Sequence, residues 1–208
     1  MTDSLVFYTN PRSRGRIVRW MLEEIGAPYR TTVVDYGPSM KAPEYLAINP
    51  MGKVPAIVHR GRAVSESAAI CAYLADAFPD AGLAPPVAER DQYYRWLFFF
   101  AGAVEAAVMN LSLGFNVPPE KEVMIGYGNF ATVLNMVEQA VSNTAYIAGE
   151  KFSAADVYCG SHIGWGLQLG HFEKREAFMN YWSRLSQRPA HVRAAELDDS
   201  LIPDETQS

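Results

Sequence analysis

The residue that most constrains this chain is Pro55, set between Val54 and the β-rich run Ala56-Ile57-Val58-His59. Inside a central strand a proline removes a ladder donor, so something specific must hold it there. In one reading it is a trans proline at a strand edge. In the other, Val54-Pro55 is one of the ~5–6% of X-Pro bonds that are cis. A cis bond would turn the Val54 backbone outward and leave its N–H and C=O in a groove, where an extended peptide can pair as an added strand would. On these residues alone both readings stay open.

The flanking patterns describe what the proline is embedded in. Leu5-Val6-Phe7-Tyr8 reads as a short buried strand, broken by Asn10-Pro11-Arg12-Ser13 before a periodic run from Gly15 to Ile25. In that run Ile17, Met21, Leu22 and Ile25 share one face, while Arg16, Arg19, Glu23 and Glu24 fall on a solvated one; Gly26 ends the helix. Thr31 to Asp35 is a second β-branched strand, and Gly37, Pro38 and Pro43 mark a loop. Two strands, 56–59 and 63–64, flank the turn 60–62, and a helix starting at Ser65 to Ser67 carries Ile70, Tyr73 and Leu74. The order is strand, helix, strand, then strand, strand, helix.

After the Pro/Gly-rich stretch Ala81-Gly82-Leu83-Ala84-Pro85-Pro86 everything reads helical. The expected division is 1–80, an α/β domain, 81–88, a linker, and 89–208, an all-α domain. Within the last, helices are expected from Glu89 to Leu113, from Pro118-Pro119 to Val141, from Ser153 onward, and over 180–185 and 190–197. Ser153 and Asp156 have the spacing of a capping box, which marks a helix start and not a catalytic pair.

Charge and composition exclude several functions. A net charge of −5 is wrong for a nucleic-acid or anionic-membrane binder. The longest apolar run, Trp96 to Val104, stops at Glu105, too short to span a bilayer, and Met1 to Asn10 has no leader pattern. A soluble, cytoplasmic protein is expected. Cys71 and Cys159 read as small core hydrophobes, and His59, His162, His171 and His191 show no ligand spacing, so no metal is expected.

The stretch Glu44 to Ile57, EYLAINPMGKVPAI, followed by Ser65-Glu66-Ser67-Ala68-Ala69-Ile70, resembles the glutathione-site signature of the glutathione transferase family. Residues 13–24, 152–157 and 185–190 extend the resemblance over nearly the whole chain. It implies a thioredoxin-like N-terminal domain of βαβ-ββα order followed by a helical domain, with glutathione as co-substrate. It implies also that Val54, ahead of Pro55, pairs through its backbone with the cysteinyl part of glutathione, and that Glu66 and Ser67 hold the γ-glutamyl end. The chemistry agrees: Glu66 can accept from the ammonium, Ser67 at a helix start suits a carboxylate, and Lys53 or Lys41 can pair with the glycyl carboxylate. Taken singly, Glu66 and Ser67 are ordinary helix-capping residues; the combination with the proline motif makes them a site.

The reacting thiol must be a thiolate near pH 7, although an ordinary cysteine thiol titrates near pH ≈ 8.5. Lowering that by about two units takes roughly 2.7 kcal/mol. A hydroxyl hydrogen bond to charged sulfur contributes ~1.5–3 kcal/mol and a helix N-terminus ~0.3–1 kcal/mol, so together they suffice. Ser13, at the end of the loop before the first helix, offers both, as a hydroxyl does in the serine-type branches of the family. Alignment leaves Arg12 and Arg14 as neighbouring alternatives; Tyr8 and Asn10 could also donate, although Tyr8 equally suits strand packing. Arg14 beside the thiolate would stabilise it further.

The co-substrate, a hydrophobic electrophile, is expected against the aromatic-rich helical domain, with Arg12, Val104, Met109 and Trp165 lining its pocket. Trp96, Phe99 and Phe100 face inward and Phe98 elsewhere. The implied activity is conjugation of glutathione to electrophiles, in the manner of detoxification. Alternatives of the same fold are a glutathione-dependent peroxidase or disulfide reductase, for which the loop lacks a cysteine, and a non-catalytic binding protein. The family also implies a homodimer, with Met51 projecting where such a contact residue stands.

Overall fold

The protein is described here from a computed structural model covering residues 4–203; of the leaderless start expected over Met1 to Asn10, the first three residues lie outside the described ones. Two compact units emerge: residues up to Leu83 together with those from Gln187 onward, and residues Ala84–Ser186.

The first unit is built on four strands, β1 (Leu5–Thr9), β2 (Arg30–Val33), β3 (Ala56–His59) and β4 (Arg62–Ser65), in the order β2-β1-β3-β4. β1 and β2 are parallel, joined by helix α1 (Gly15–Ile25), while β3 and β4 form an antiparallel hairpin on β1. A single turn, α2 (Pro43–Leu46), precedes β3, and α3 (Ser67–Ala77) follows β4. This is the βαβ-ββα thioredoxin-like arrangement. Parallel strands require a crossover, which α1 supplies, and its apolar stripe Ile17, Val18, Met21 and Leu22 is fully buried along with Phe7, Ile57, Ile70 and Leu74. Each such side chain contributes about 1.5–3 kcal/mol by leaving water. α1 ends at Gly26, whose φ of 66° lets its N–H return to the Leu22 carbonyl.

The domain division expected at 89–208 differs from the observed one at its far end. Helix α9 (Pro189–Asp199) packs along α1 in the first unit, held by ion pairs that sequence periodicity does not reveal. Arg19, expected on a solvated face, is 3% exposed and donates to Asp198 at 3.1 Å, while its guanidinium also reaches Thr31 at 2.7 Å and lies 5.0 Å over the Phe7 ring. Arg188 makes a two-pronged bond to Glu24, and Arg16, likewise expected in solvent, reaches Asp199. A helix placed by charged residues looks solvated until its partner is known.

The helical unit contains α4 (Asp91–Phe99), a π-helical turn (Phe100–Val104), α5 (Glu105–Ser112), α6 (Phe130–Asn143), α7 (Ala154–Gln168) and α8 (Glu176–Ser186). The helix expected from Pro118-Pro119 to Val141 is broken in two: a 3₁₀ segment covers Pro119–Met124, and α6 begins only after Gly126-Tyr127-Gly128. Gly128 takes φ 66°, and Asn129 caps the new helix by accepting from the Thr132 N–H at 2.9 Å. The capping box before α7 is present, with the Ser153 N–H donating to Asp156 at 2.9 Å. Asp156 is completely buried and accepts as well from Ile147 N–H and the Tyr181 hydroxyl. Cys71 and Cys159 are buried free thiols; burial pushes the Cys71 thiol far up from its ordinary value. Among the described residues no helix is long and apolar enough to cross a membrane.

Candidate active site

Strand register brings the separated motifs to one end of the sheet. Tyr8 on β1 pairs with Ala56 on β3, which pairs with Ser65 on β4, while Thr9 pairs with Val33 on β2. The loop after β1, carrying Asn10 to Arg14, the segment before β3, carrying Lys53 to Pro55, and the turn after β4, carrying Glu66 and Ser67, therefore emerge at the same edge.

The Val54-Pro55 bond is cis. Among the described residues Val54 takes part in no ladder and its N–H and C=O have no hydrogen-bond partner. The peptide ahead of it is firmly held: the Lys53 carbonyl accepts from the Tyr45 hydroxyl at 2.6 Å and from the Asn49 amide at 2.8 Å. Because a trans peptide is planar, fixing the Lys53 carbonyl fixes the opposite direction of the Val54 N–H. Burial raises the Tyr45 hydroxyl to about 12, so it remains a donor at any working pH. Lys41, expected as an alternative anchor for a carboxylate, sends its ammonium to the Met51 and Gly52 carbonyls at 3.0 and 3.1 Å and so braces this loop; one of its three protons remains. Lys53 is exposed. Tyr45 and Asn49 lie inside the stretch that carries the family resemblance but are given no role of their own; Asn49-Pro50 by itself signals only a turn.

Glu66 occupies the left-handed region, with φ 68°, immediately before α3, an uncommon conformation for a side chain of its size. Its side chain is exposed, whereas Ser67 is buried at 9% exposure on the first position of α3. No side chain caps this helix, and among the described residues the Ser67 hydroxyl and N–H lack a partner. Free N–H groups at a helix start, beside a carboxylate, can receive a zwitterionic group: the carboxylate at the helix, the ammonium at Glu66.

The loop after β1 is stitched by short bonds. The Ser13 hydroxyl donates to the Asn10 carbonyl at 2.6 Å and accepts from the Gly15 N–H at 2.9 Å. To serve a thiolate it exchanges a neutral acceptor for a charged one, which favours the swing, and the Gly15 N–H polarises it as a donor. Gly15 has to be glycine, since a Cβ there would lie 1.9 Å from Thr9 Oγ1. Asn10 is 7% exposed and its amide is engaged, donating to the Val34 carbonyl at 3.2 Å and accepting from the Arg12 N–H at 3.0 Å. Tyr8 packs on Val34, Met40 and Tyr45, its ring 5.9 Å from that of Tyr45. Arg12 and Arg14 are exposed, Arg14 at the start of α1.

In the helical unit, Val104 is fully buried at the end of the π-helical turn, a core position, while Met109 is 38% exposed and Trp165 is half-buried. Trp96 and Phe100 are buried and Phe98 is 74% exposed, as their spacing on one helix predicts. Ala107, Leu111, Phe115, Val117 and Phe130 line a cavity of about 150 Å³ that no sequence signal announced. Among the described residues no group of three or more His, Cys, Asp or Glu is arranged to hold a metal.

Comparison with known proteins places both units. Residues 13–77 match the glutathione S-transferase N-terminal domain family, and residues 91–189 match the C-terminal domain family. Over 187 residues the chain is 30% identical to glutathione S-transferase F10 of Arabidopsis thaliana, covering 81% of this chain and 86% of that protein. It is 27% identical to the disulfide-bond oxidoreductase YfcG of Escherichia coli, over 90% of this chain and 92% of that one. The structure superposes on that of a glutathione transferase homologue from Sulfitobacter with bound glutathione, with TM-score 0.75, 26% identity, and coverage of 97% and 100%.

Proposed function

Given that the chain belongs to the glutathione S-transferase family, we propose that it holds glutathione along Val54, Pro55, Glu66 and Ser67, activates its thiol from the loop around Ser13, and conjugates it to a hydrophobic electrophile. The observation that carries this reading is the unpaired Val54 backbone, at the same sheet edge as the uncapped start of α3 and the Ser13 hydroxyl. An extended tripeptide satisfies all three: its backbone on Val54, its α-amino acid end on Glu66 and Ser67, its thiol towards Ser13. Lys53, and Lys41 with its remaining proton, serve the glycyl carboxylate. Arg14 adds positive potential near the sulfur, and Arg12, Met109 and Trp165 are assigned to the electrophile. Tyr8 on β1 acts as a packing group and Asn10 as a brace of the loop, consistent with their contacts.

Thiolate formation and positioning supply the rate. Disulfide reduction, the activity named for the Escherichia coli relative, is less well served, because residues 10–15 include no cysteine and Cys71 and Cys159 are buried. The same reading makes the protein a cytoplasmic enzyme of electrophile detoxification, acting as a homodimer; Met51, expected to project into such a contact, is 67% exposed, and sedimentation at micromolar concentration checks it.

The test of function is conjugation of glutathione to a chloro-nitroarene together with a pH titration of thiolate absorbance near 240 nm. Ser13→Ala is expected to raise the bound thiol's pKa by about 1.5 units, with activity near pH 7 falling more than tenfold and glutathione affinity nearly unchanged. Wild-type protein that binds glutathione without turnover would make it a binding protein. An unchanged titration in Ser13→Ala with a shift in Tyr8→Phe or Asn10→Ala would move thiol activation to that residue.

A further inference from the structure

Arg16, on the first turn of α1, bonds in two directions. Its Nε donates to the Pro11 carbonyl at 2.6 Å, and its Nη2 donates to Asp199 Oδ1 at 2.5 Å. Pro11 lies within the loop that carries Ser13, and Asp199 is the last residue of α9. The Pro11 carbonyl shares a peptide plane with the Arg12 N–H, which donates to Asn10 Oδ1 at 3.0 Å. That plane is therefore gripped at both edges. The residue before it, Asn10, supplies the carbonyl that receives both the Ser13 N–H and the Ser13 hydroxyl. Turning the Pro11-Arg12 plane shifts the turn on which Ser13 Oγ is mounted.

We propose that Arg16 and Asp199 are positioning residues for the thiol-activating loop, a strut through which the end of the C-terminal helix fixes where Ser13 Oγ points; this rests on the assignment of Ser13 made above. The pair is poorly placed to act as a stability device, because Arg16 is 28% and Asp199 64% exposed, and exposed ion pairs contribute little to folding. Docking of α9 is secured elsewhere, by the buried Arg19–Asp198 pair and by Arg188 on Glu24. Among the described residues it is Arg16 that connects that docked helix to the Pro11 carbonyl, and a lysine, with no fork of N–H groups, cannot hold both partners in this geometry.

The experiment is the 240 nm titration and steady-state kinetics on the full chain with glutathione, for Arg16→Met, Asp199→Asn, Asp199→Glu, the double variant Arg16→Met/Asp199→Asn, and Ser13→Ala. Arg12 and Arg14 are kept throughout. Arg16→Met and Asp199→Asn should each raise the bound thiol's pKa by about half to one unit and lower kcat near pH 7 by about three- to tenfold, with glutathione Kd within about twofold. The double variant should be no worse than Arg16→Met alone, since both act through one path, and Asp199→Glu should titrate like wild type. A purely electrostatic role gives opposite signs, because removing the Asp199 charge leaves the loop more positive and lowers the thiol's pKa; that outcome overturns the strut. So does a fall in melting temperature with an unchanged titration. If Ser13→Ala shifts the titration while the strut variants do not, the strut alone is wrong. If Ser13→Ala titrates like wild type, the assignment of Ser13 fails and the strut fails with it.

Discussion

The two units carry their information in different chemical forms. In the first, the groups assigned to the tripeptide are directional: a Val54 backbone left unpaired, a Glu66 held at φ 68°, a Ser13 hydroxyl in a 2.6 Å bond. In the second, the assigned Met109 and Trp165 offer shape and apolar area, and a buried carboxylate with several bonds, Asp156, serves the fold. Damage to directional groups should appear in affinity and thiol chemistry. Damage in the helical unit should appear in stability, or in selectivity for the apolar partner.

Asp156→Ala tests that division most severely. It removes the acceptor of the Ile147 and Ser153 N–H groups and of the Tyr181 hydroxyl, all buried, and is expected to cost about 3–5 kcal/mol by thermal or denaturant unfolding. A weakened glutathione Kd at undiminished stability would break the comparison. Tyr45→Phe comes next: the Lys53 carbonyl keeps only Asn49, and glutathione Kd should rise about fivefold with kcat little changed, by calorimetry and steady-state kinetics. Since folding raises the Tyr45 hydroxyl from 10.0 to about 12, its contribution is complete below pH 10 and is lost only as pH climbs towards 12. The Tyr45→Phe effect should therefore be constant from pH 6 to 9. Smallest is Met109→Ala, which should change KM for the electrophile two- to fivefold and leave glutathione Kd alone, because what the truncation removes is the apolar area of a 38% exposed side chain. A change in glutathione affinity would show that the helical unit also contributes direction.

The same contrast explains what the sequence made legible. Strand and helix order in the first unit followed from alternation and turn residues, and Pro55 marked a break in the ladder because proline is intolerable in an ordinary one, though it left the cis and trans readings open. Glu66 and Ser67 were singled out through the motif, yet the φ of Glu66 has no signature in its side chain. Tyr45, Asn49 and Arg16 escaped because each acts on a backbone carbonyl, Lys53 or Pro11, whose position is fixed only by folding. Arg19 looked solvated because charge alone was visible, while its partner Asp198 lies 179 residues further on. In the helical unit periodicity separated Phe98 from Trp96 and Phe100, but could not show that Gly126-Tyr127-Gly128 interrupts a helix begun at a proline pair. Val104 is fully buried, and an apolar residue on a helix carries no mark in the sequence of which cavity, if any, it faces.

The seating of α9 on α1 also bears on how the polypeptide is made. Synthesis delivers β1 to α3 first, yet Arg19 on α1 then has no carboxylate, and an uncompensated buried guanidinium is strongly unfavourable. The first unit reaches its final form only after Asp198 has left the ribosome, although the helical unit, whose residues 84–186 are contiguous, is available to fold before it. The last unit to emerge is in this sense the first in the sequence, and a stop codon shortly before residue 198 would damage the far end of the gene's product as well as the near one.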